Sequence, residues 1–87
     1  MSFTCPACGY SGLDKVPWSE KSGGSLEICP SCGIQFGYSD AVGGDSVRRQ
    51  KLYEVWRAKW IADGMIWRGQ RERPAAWNPV AQLRNVT

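Results

Sequence analysis

Apolar positions along this chain follow two rhythms. Before residue 40 they come in short runs broken by glycine, serine and proline; after residue 45 they recur every three or four positions. Strand-like runs are predicted at Met1–Thr4, Ser25–Cys29 and Ile34–Tyr38, with Lys21-Ser22-Gly23-Gly24 as a loop tip whose flanks can form a hairpin. Ser39–Gly44 reads as a connector. A helix is predicted from Ser46 to Asp63, with Asp45 or Ser46 as N-cap and Gly64 as its stop. At about 100° per residue, Leu52, Tyr53, Trp56 and Trp60 share one face, while Arg48, Lys51 and Lys59 cluster on an adjacent one. The remainder, Met65–Thr87, is less regular. It holds "WRGQRERP" and then "WNPVAQLRN", where Asn78 can cap a short helix with Pro79 at its first position.

The apolar helix face is aromatic, and rings of that size bury large areas. Trp56 and Trp60 are therefore expected to lie over the first half of the chain as core. Trp18, Trp67 and Trp77 fall in loop-like segments, where core or tail-clamping roles are the first expectation and facing a partner the second. At 87 residues the chain reads as one domain, of a size whose own core is marginal and which often gains from a metal or disulfide staple.

Four cysteines supply the candidate staple, in the pattern C-x2-C-x20-C-x2-C: "CPACGY" from Cys5 and "CPSCGI" from Cys29. Two intervening residues let both sulfurs of a tight turn face the same ion. Pro6 and Pro30 restrict φ at the start of each turn, and Gly9 and Gly33 suit positive φ after the second sulfur. Two such turns make a tetrahedral four-sulfur site that suits zinc and also a single iron. No apolar leader precedes Cys5, so neither a signal peptide nor a membrane span is expected. The expected compartment is the cytoplasm, where thiols stay reduced. This ranks a metal site ahead of two disulfides or a catalytic dithiol.

Charge adds an asymmetry. Residues 1–43 carry two lysines against four carboxylates, net −2, and residues 44–87 carry nine cations against four carboxylates, net +5. Four thiolates around a divalent cation add a net −2, which brings the formal +3 down to +1. Arg48, Arg49, Lys51, Lys59, Arg68, Arg71 and Arg73 are candidates for a phosphate-binding patch, but a solvated face is the better reading. The chain has no histidine, which rules out a mixed Cys/His site and leaves a serine or cysteine nucleophile without that base. Carboxylates are scattered, and Gly23-Gly24 and Gly43-Gly44 are isolated turn signals rather than a phosphate loop. No enzymatic activity is expected.

The two cysteine turns resemble those of zinc ribbons and rubredoxin-like domains; "CPACGY", Asp14, Pro17, Trp18 and "CPSCG" are similar to a rubredoxin with a shortened middle. A likeness over nearly the whole chain is to small bacterial cysteine-rich CPxCG proteins, through "EICPSCGIQFGYSD", "YEVWRAKWIADGM" and "WNPVAQL". That resemblance implies a small α+β fold: a zinc ribbon over residues 1–40, an amphipathic helix over 45–64 and a tail with a short helix over 65–87. It implies Cys5, Cys8, Cys29 and Cys32 as metal ligands and brings no established activity, although some proteins of this type act as immunity or accessory factors beside toxins. The expected role is a non-enzymatic protein-interaction module with a structural zinc site. The alternatives are a rubredoxin-like iron electron carrier and a weak nucleic-acid-binding ribbon. Trp67, Arg68 and Arg71 are the candidate partner-binding residues, since tryptophan and arginine are frequent interface anchors.

Overall fold

A computed structural model of the chain describes residues 2–19, 21, 23–41 and 45–86. Its first half is built from two tight turns of the same construction. In one, the Cys5 N–H donates to the Tyr10 carbonyl (2.7 Å) and the Gly9 N–H to the Cys5 carbonyl (2.9 Å). In the other, the Cys29 N–H donates to Ile34 (2.9 Å) and the Gly33 N–H to Cys29 (2.8 Å). Gly9 and Gly33 sit at φ +87° and +82°, the left-handed region their sequence positions called for.

The predicted strands are mostly reduced to single bridges, Phe3 with Leu13 and Ile28 with Gln35; Met1 lies outside the described residues. Around the second turn the runs do pair, the Leu26 N–H donating to Phe36 at 2.8 Å and the Phe36 N–H to Glu27 at 3.2 Å. The ladder stops there because residues 36–40 fold into turns, with Tyr38 and Ser39 both donating back to the Gln35 carbonyl. The alternation in "IQFGY" thus buries Ile34 and Phe36 and leaves Tyr38 77% exposed.

Among the described residues, one two-stranded sheet pairs β1 (Trp18–Ser19) antiparallel with β2 (Gly23–Gly24), Trp18 opposite Gly24. The glycines expected at the loop tip are therefore in the strand; Ser22 lies outside the described residues. Close approach explains the exchange: a Cβ on Gly24 would stand 2.2 Å from the Cα of Gly37.

Helix α1 spans Ser46–Ala62. Asp45 is its cap, Oδ1 accepting from the Val47 and Arg48 N–H groups at 2.9 and 3.2 Å. The preceding part of the predicted connector, residues 42–44, lies outside the described residues. The helix ends one residue early, with Asp63 as C-cap, and the chain turns away through Gly64 (φ +99°) and Met65 (φ +54°). Tyr53 and Trp60 are the buried residues of α1, 3% and 2% exposed. Leu52 and Trp56 pack against the core only in part, so Trp56 is less enclosed than its helical position suggested.

A short helix, α2 (Pro79–Gln82), begins as expected with the Asn78 side chain accepting from the Ala81 N–H, and runs into a 3-10 turn at Leu83–Asn85. Aromatic rings hold the tail in place. Trp67 meets Tyr10 and Trp77 edge-on at 5.5 and 5.2 Å, and Trp77 lies 6.3 Å from Trp60. Among the described residues the buried core is Leu13, Ile34, Phe36, Tyr53, Trp60 and Ala7 gathered around all four cysteines. No described helix is long and apolar enough to cross a membrane.

Candidate metal centre

The two turns bring Cys5, Cys8, Cys29 and Cys32 together so that all four Sγ atoms lie within 4.8 Å of one another. Cys5 and Cys32 are 3.9 Å apart, and Cys8 and Cys29 are 3.7 Å apart. A tetrahedron with metal–sulfur bonds of about 2.3 Å has edges of about 3.8 Å. The donor set and its spacing therefore fit one tetrahedrally held ion, and the cluster could hold a metal.

Burial sharpens this. Cys5, Cys8 and Cys29 are fully buried and Cys32 is 4% exposed. Hydrogen bonds from Cys29, Cys32 and Cys5 hold the Cys8 thiol well below its usual range against the opposing effect of burial, with a smaller contribution from the Ser31 hydroxyl. Cys32 is pushed far up, by its hydrogen bond with Cys29 first, then Cys5, Cys8 and burial. At Cys29 the contact with Cys32 lowers, but Cys5, Cys8 and burial together push the thiol up. Four sulfurs in so small a volume cannot all carry charge unaided. A bound metal cation would remove that conflict and take all four as thiolates.

The second half of the chain supplies donors to the backbone carbonyls of both turns. Arg57 on α1 donates from Nε to the Ala7 carbonyl (2.7 Å) and from Nη2 to the Pro6 carbonyl (3.1 Å). Gln82 on α2 donates from Nε2 to the Cys8 carbonyl (3.1 Å) and to the buried Ser31 hydroxyl (2.9 Å), and Asn85 donates to the Gly9 carbonyl (2.9 Å). On the second turn, the Arg68 and Gly69 N–H groups donate to the Pro30 carbonyl (3.0 and 2.6 Å), and the Trp56 indole to Cys32 (3.1 Å). The Trp77 indole in turn donates to Gln82 Oε1 at 2.7 Å, fixing which way that amide points. Each carbonyl from Pro6 to Gly9 thus has a partner at least 50 residues away in sequence. Partners of this kind orient metal-binding turns much as outer-shell bonds orient the ligands themselves.

A second polar node ties α1 to the sheet. Asp40 is fully buried and accepts from the Trp18 indole (2.7 Å), the Gly37 N–H (2.6 Å) and the Tyr53 hydroxyl (2.5 Å). Burial first, then the Asp40 hydrogen bond and charge, raise the Tyr53 phenol well above its usual pKa. The Arg49 guanidinium lies over the Trp18 ring, 3.9 Å from its centroid.

The residues expected to meet a partner all have intramolecular roles. Trp67 is half-buried and its indole donates to the Arg71 carbonyl at 2.8 Å. Arg68 pairs with Asp63 at 2.9 Å, and Arg71 with Asp14 at 3.1 Å. Lys59, and then Arg68, hold the Asp63 carboxyl below its ordinary range. Arg57, Asp40, Ser31, Gln82 and Asn85 are not among the residues that the cysteine spacing and aromatic pattern single out. Arg57 left a signal: it falls at i+4 from Tyr53 and i−3 from Trp60, inside the aromatic stripe, where an arginine needs partners.

The chain is similar to the uncharacterized protein YoaQ of Bacillus subtilis (strain 168), a distant homologue, at 33% identity over 72 residues. The match covers 74% of this chain and 61% of YoaQ, so the chain spans about three fifths of that relative's length. No family model matches the chain, and no solved structure matches it.

Proposed function

We propose that Cys5, Cys8, Cys29 and Cys32 hold one zinc ion as the structural centre of a zinc-ribbon fold, and that the protein acts as a non-enzymatic protein-interaction module. The observation that carries this reading is the closed, buried four-sulfur cluster with tetrahedral spacing. A site with four protein ligands has no position left for water or substrate, which is the mark of a structural rather than a catalytic centre. The ion would join residues 5–8 to residues 29–32, so its binding energy would be largely folding energy. The reading requires a compartment that keeps thiols reduced, and the cytoplasm meets that requirement.

The test is elemental analysis of the purified chain together with Cys29→Ser. The expected result is about one zinc per chain and no visible absorbance. The variant is expected to lose the metal and the cooperative melting of the first half. Stoichiometric iron with visible charge-transfer bands would replace this reading with an electron carrier. A Cys29→Ser variant that melts like the parent would remove the metal from the account of the fold.

A further inference from the structure

On α1, cations differ in what they are given to do. Arg57 binds two carbonyls, Arg49 covers Trp18, and Lys59 pairs with Asp63. Arg48 and Lys51 have no ion-pair partner among the described residues, and both are exposed. They border a shallow groove whose other lining residues are Val47, Leu52 and Val55. Val47 is 70% and Val55 67% exposed.

A lone exposed valine on a surface helix is ordinary. Here three aliphatic side chains line one strip, and residues 48, 51, 52 and 55 follow the i, i+3, i+4, i+7 spacing of a single helix face. β-Branched valine is also a weaker helix former than the straight-chain residues that usually fill exposed helix positions. The face therefore keeps two costs that folding alone does not offset: the apolar area of Val47 and Val55 in water, and two adjacent positive charges with no ion-pair partner among the described residues.

We propose that this face of α1 (Val47, Arg48, Lys51, Leu52 and Val55) is the docking surface for a partner protein that presents an acidic amphipathic segment. Aliphatic or aromatic side chains of the segment fill the strip, and its carboxylates meet Arg48 and Lys51. The proposal rests on the interaction-module reading above and names its surface and partner chemistry. A phosphate backbone would satisfy the two cations and leave the valine–leucine strip uncovered. The apolar content of the groove therefore favours a protein. The residues first expected to meet a partner, Trp67, Arg68 and Arg71, make contacts within the chain, whereas on this face Val47, Arg48, Lys51 and Val55 are exposed and Leu52 alone packs in part against the core.

The test is selection from a random 16-residue peptide display library on the immobilised full chain, after its metal content and melting temperature have been measured. Recovered peptides are expected to be enriched in Asp and Glu interleaved with Leu, Ile, Val or Phe. They should lose at least tenfold in affinity toward Arg48→Glu/Lys51→Glu, and separately toward Val47→Ser/Val55→Ser. All four positions are exposed, so both variants are expected to melt and hold metal as the parent does. Peptides without acidic enrichment, or peptides that bind the charge-reversed variant equally well, would overturn the proposal. Tighter binding to a DNA duplex, an RNA hairpin or anionic lipid vesicles at physiological salt than to any selected peptide would also overturn it. A parent chain without stoichiometric metal that still selects acidic peptides would sink the zinc reading and leave the docking surface standing.

Discussion

Replacing Arg57 with alanine should uncouple α1 from the first cysteine turn. Two bonds from a charged donor are lost, to the carbonyls of Ala7 and Pro6. Bonds to a charged group contribute about 1.5–3 kcal/mol each, and a buried acceptor left without a partner costs toward the upper end. Ala7 is fully buried, so its carbonyl meets that condition; Pro6 is partly open and water can replace the lost donor there. The net loss should be about 2–4 kcal/mol. For a domain of this size each kcal/mol moves the melting temperature by roughly 4–8 °C, which puts Arg57→Ala roughly 8–32 °C below the parent. The assay is thermal unfolding at fixed total metal, because a ligand of the native state shifts the midpoint by mass action. Arg57→Met separates the two contributions of this side chain. It keeps an apolar stem of similar length and removes the donors, so it should melt close to Arg57→Ala. Arg57→Lys keeps the charge without the planar fork and should recover about half of the loss. An alanine variant within about 2 °C of the parent, or a methionine variant that restores most of the difference, would refute the carbonyl-binding role.

Trp60→Ala should destabilise by about 3–5 kcal/mol, as expected for a ring that is fully packed. Trp56 is only partly buried but donates to the Cys32 carbonyl, so Trp56→Ala should cost visibly less in the same denaturant titration; equal losses would contradict the packing described. Tyr53→Phe removes a donor to buried Asp40 and should cost about 1–3 kcal/mol at neutral pH. The folded-state pKa of Tyr53 is raised, so its contribution is complete below the ordinary phenol range and declines as pH rises above about 10. The phenylalanine variant should lack that alkaline decline, and identical pH profiles would rule it out. Gly9→Ala places a Cβ 2.2 Å from the Gln82 carbonyl oxygen at a φ of +87°. It should undock the tail, measured as a shift in tryptophan emission to longer wavelength as Trp67 and Trp77 gain water; unchanged emission would show that the tail does not lean on this turn.

Features that depend on local chemistry were legible in the chain alone. The spacing of Cys5/Cys8 and Cys29/Cys32, the positive φ of Gly9 and Gly33, the Asp45 and Asn78 caps and the aromatic stripe of α1 each follow from a few neighbouring residues. Strand extent was not legible, because whether Ile34–Tyr38 continues as a ladder depends on turns that Asp40 closes by binding the Gly37 N–H. Gly23 and Gly24 read as a loop tip because nothing local announces Gly37 as the neighbour that excludes a side chain. The candidate site was half visible for the same reason. Sulfur ligands advertise themselves by spacing, whereas Gln82 and Asn85 act on carbonyls across more than 70 residues and carry no local mark.

The long reach of those tail residues gives the centre a history during synthesis. Both cysteine turns leave the ribosome before any of the groups that cover them. At about 5–20 residues per second, Arg57 follows Cys32 by roughly 1–5 seconds and Gln82 by roughly 2–10 seconds. In that interval the nascent turns can take up an ion, but their carbonyls are still bound to water rather than to the helix and tail. An ion of unsuitable geometry is free to leave during this window. Once Gln82 and Asn85 arrive they bind the Cys8 and Gly9 carbonyls, and release of a bound ion would then require the tail to lift first. If the cluster holds a metal as proposed, the order of translation would separate capture from retention: ions would be sampled early and one kept once the tail has docked.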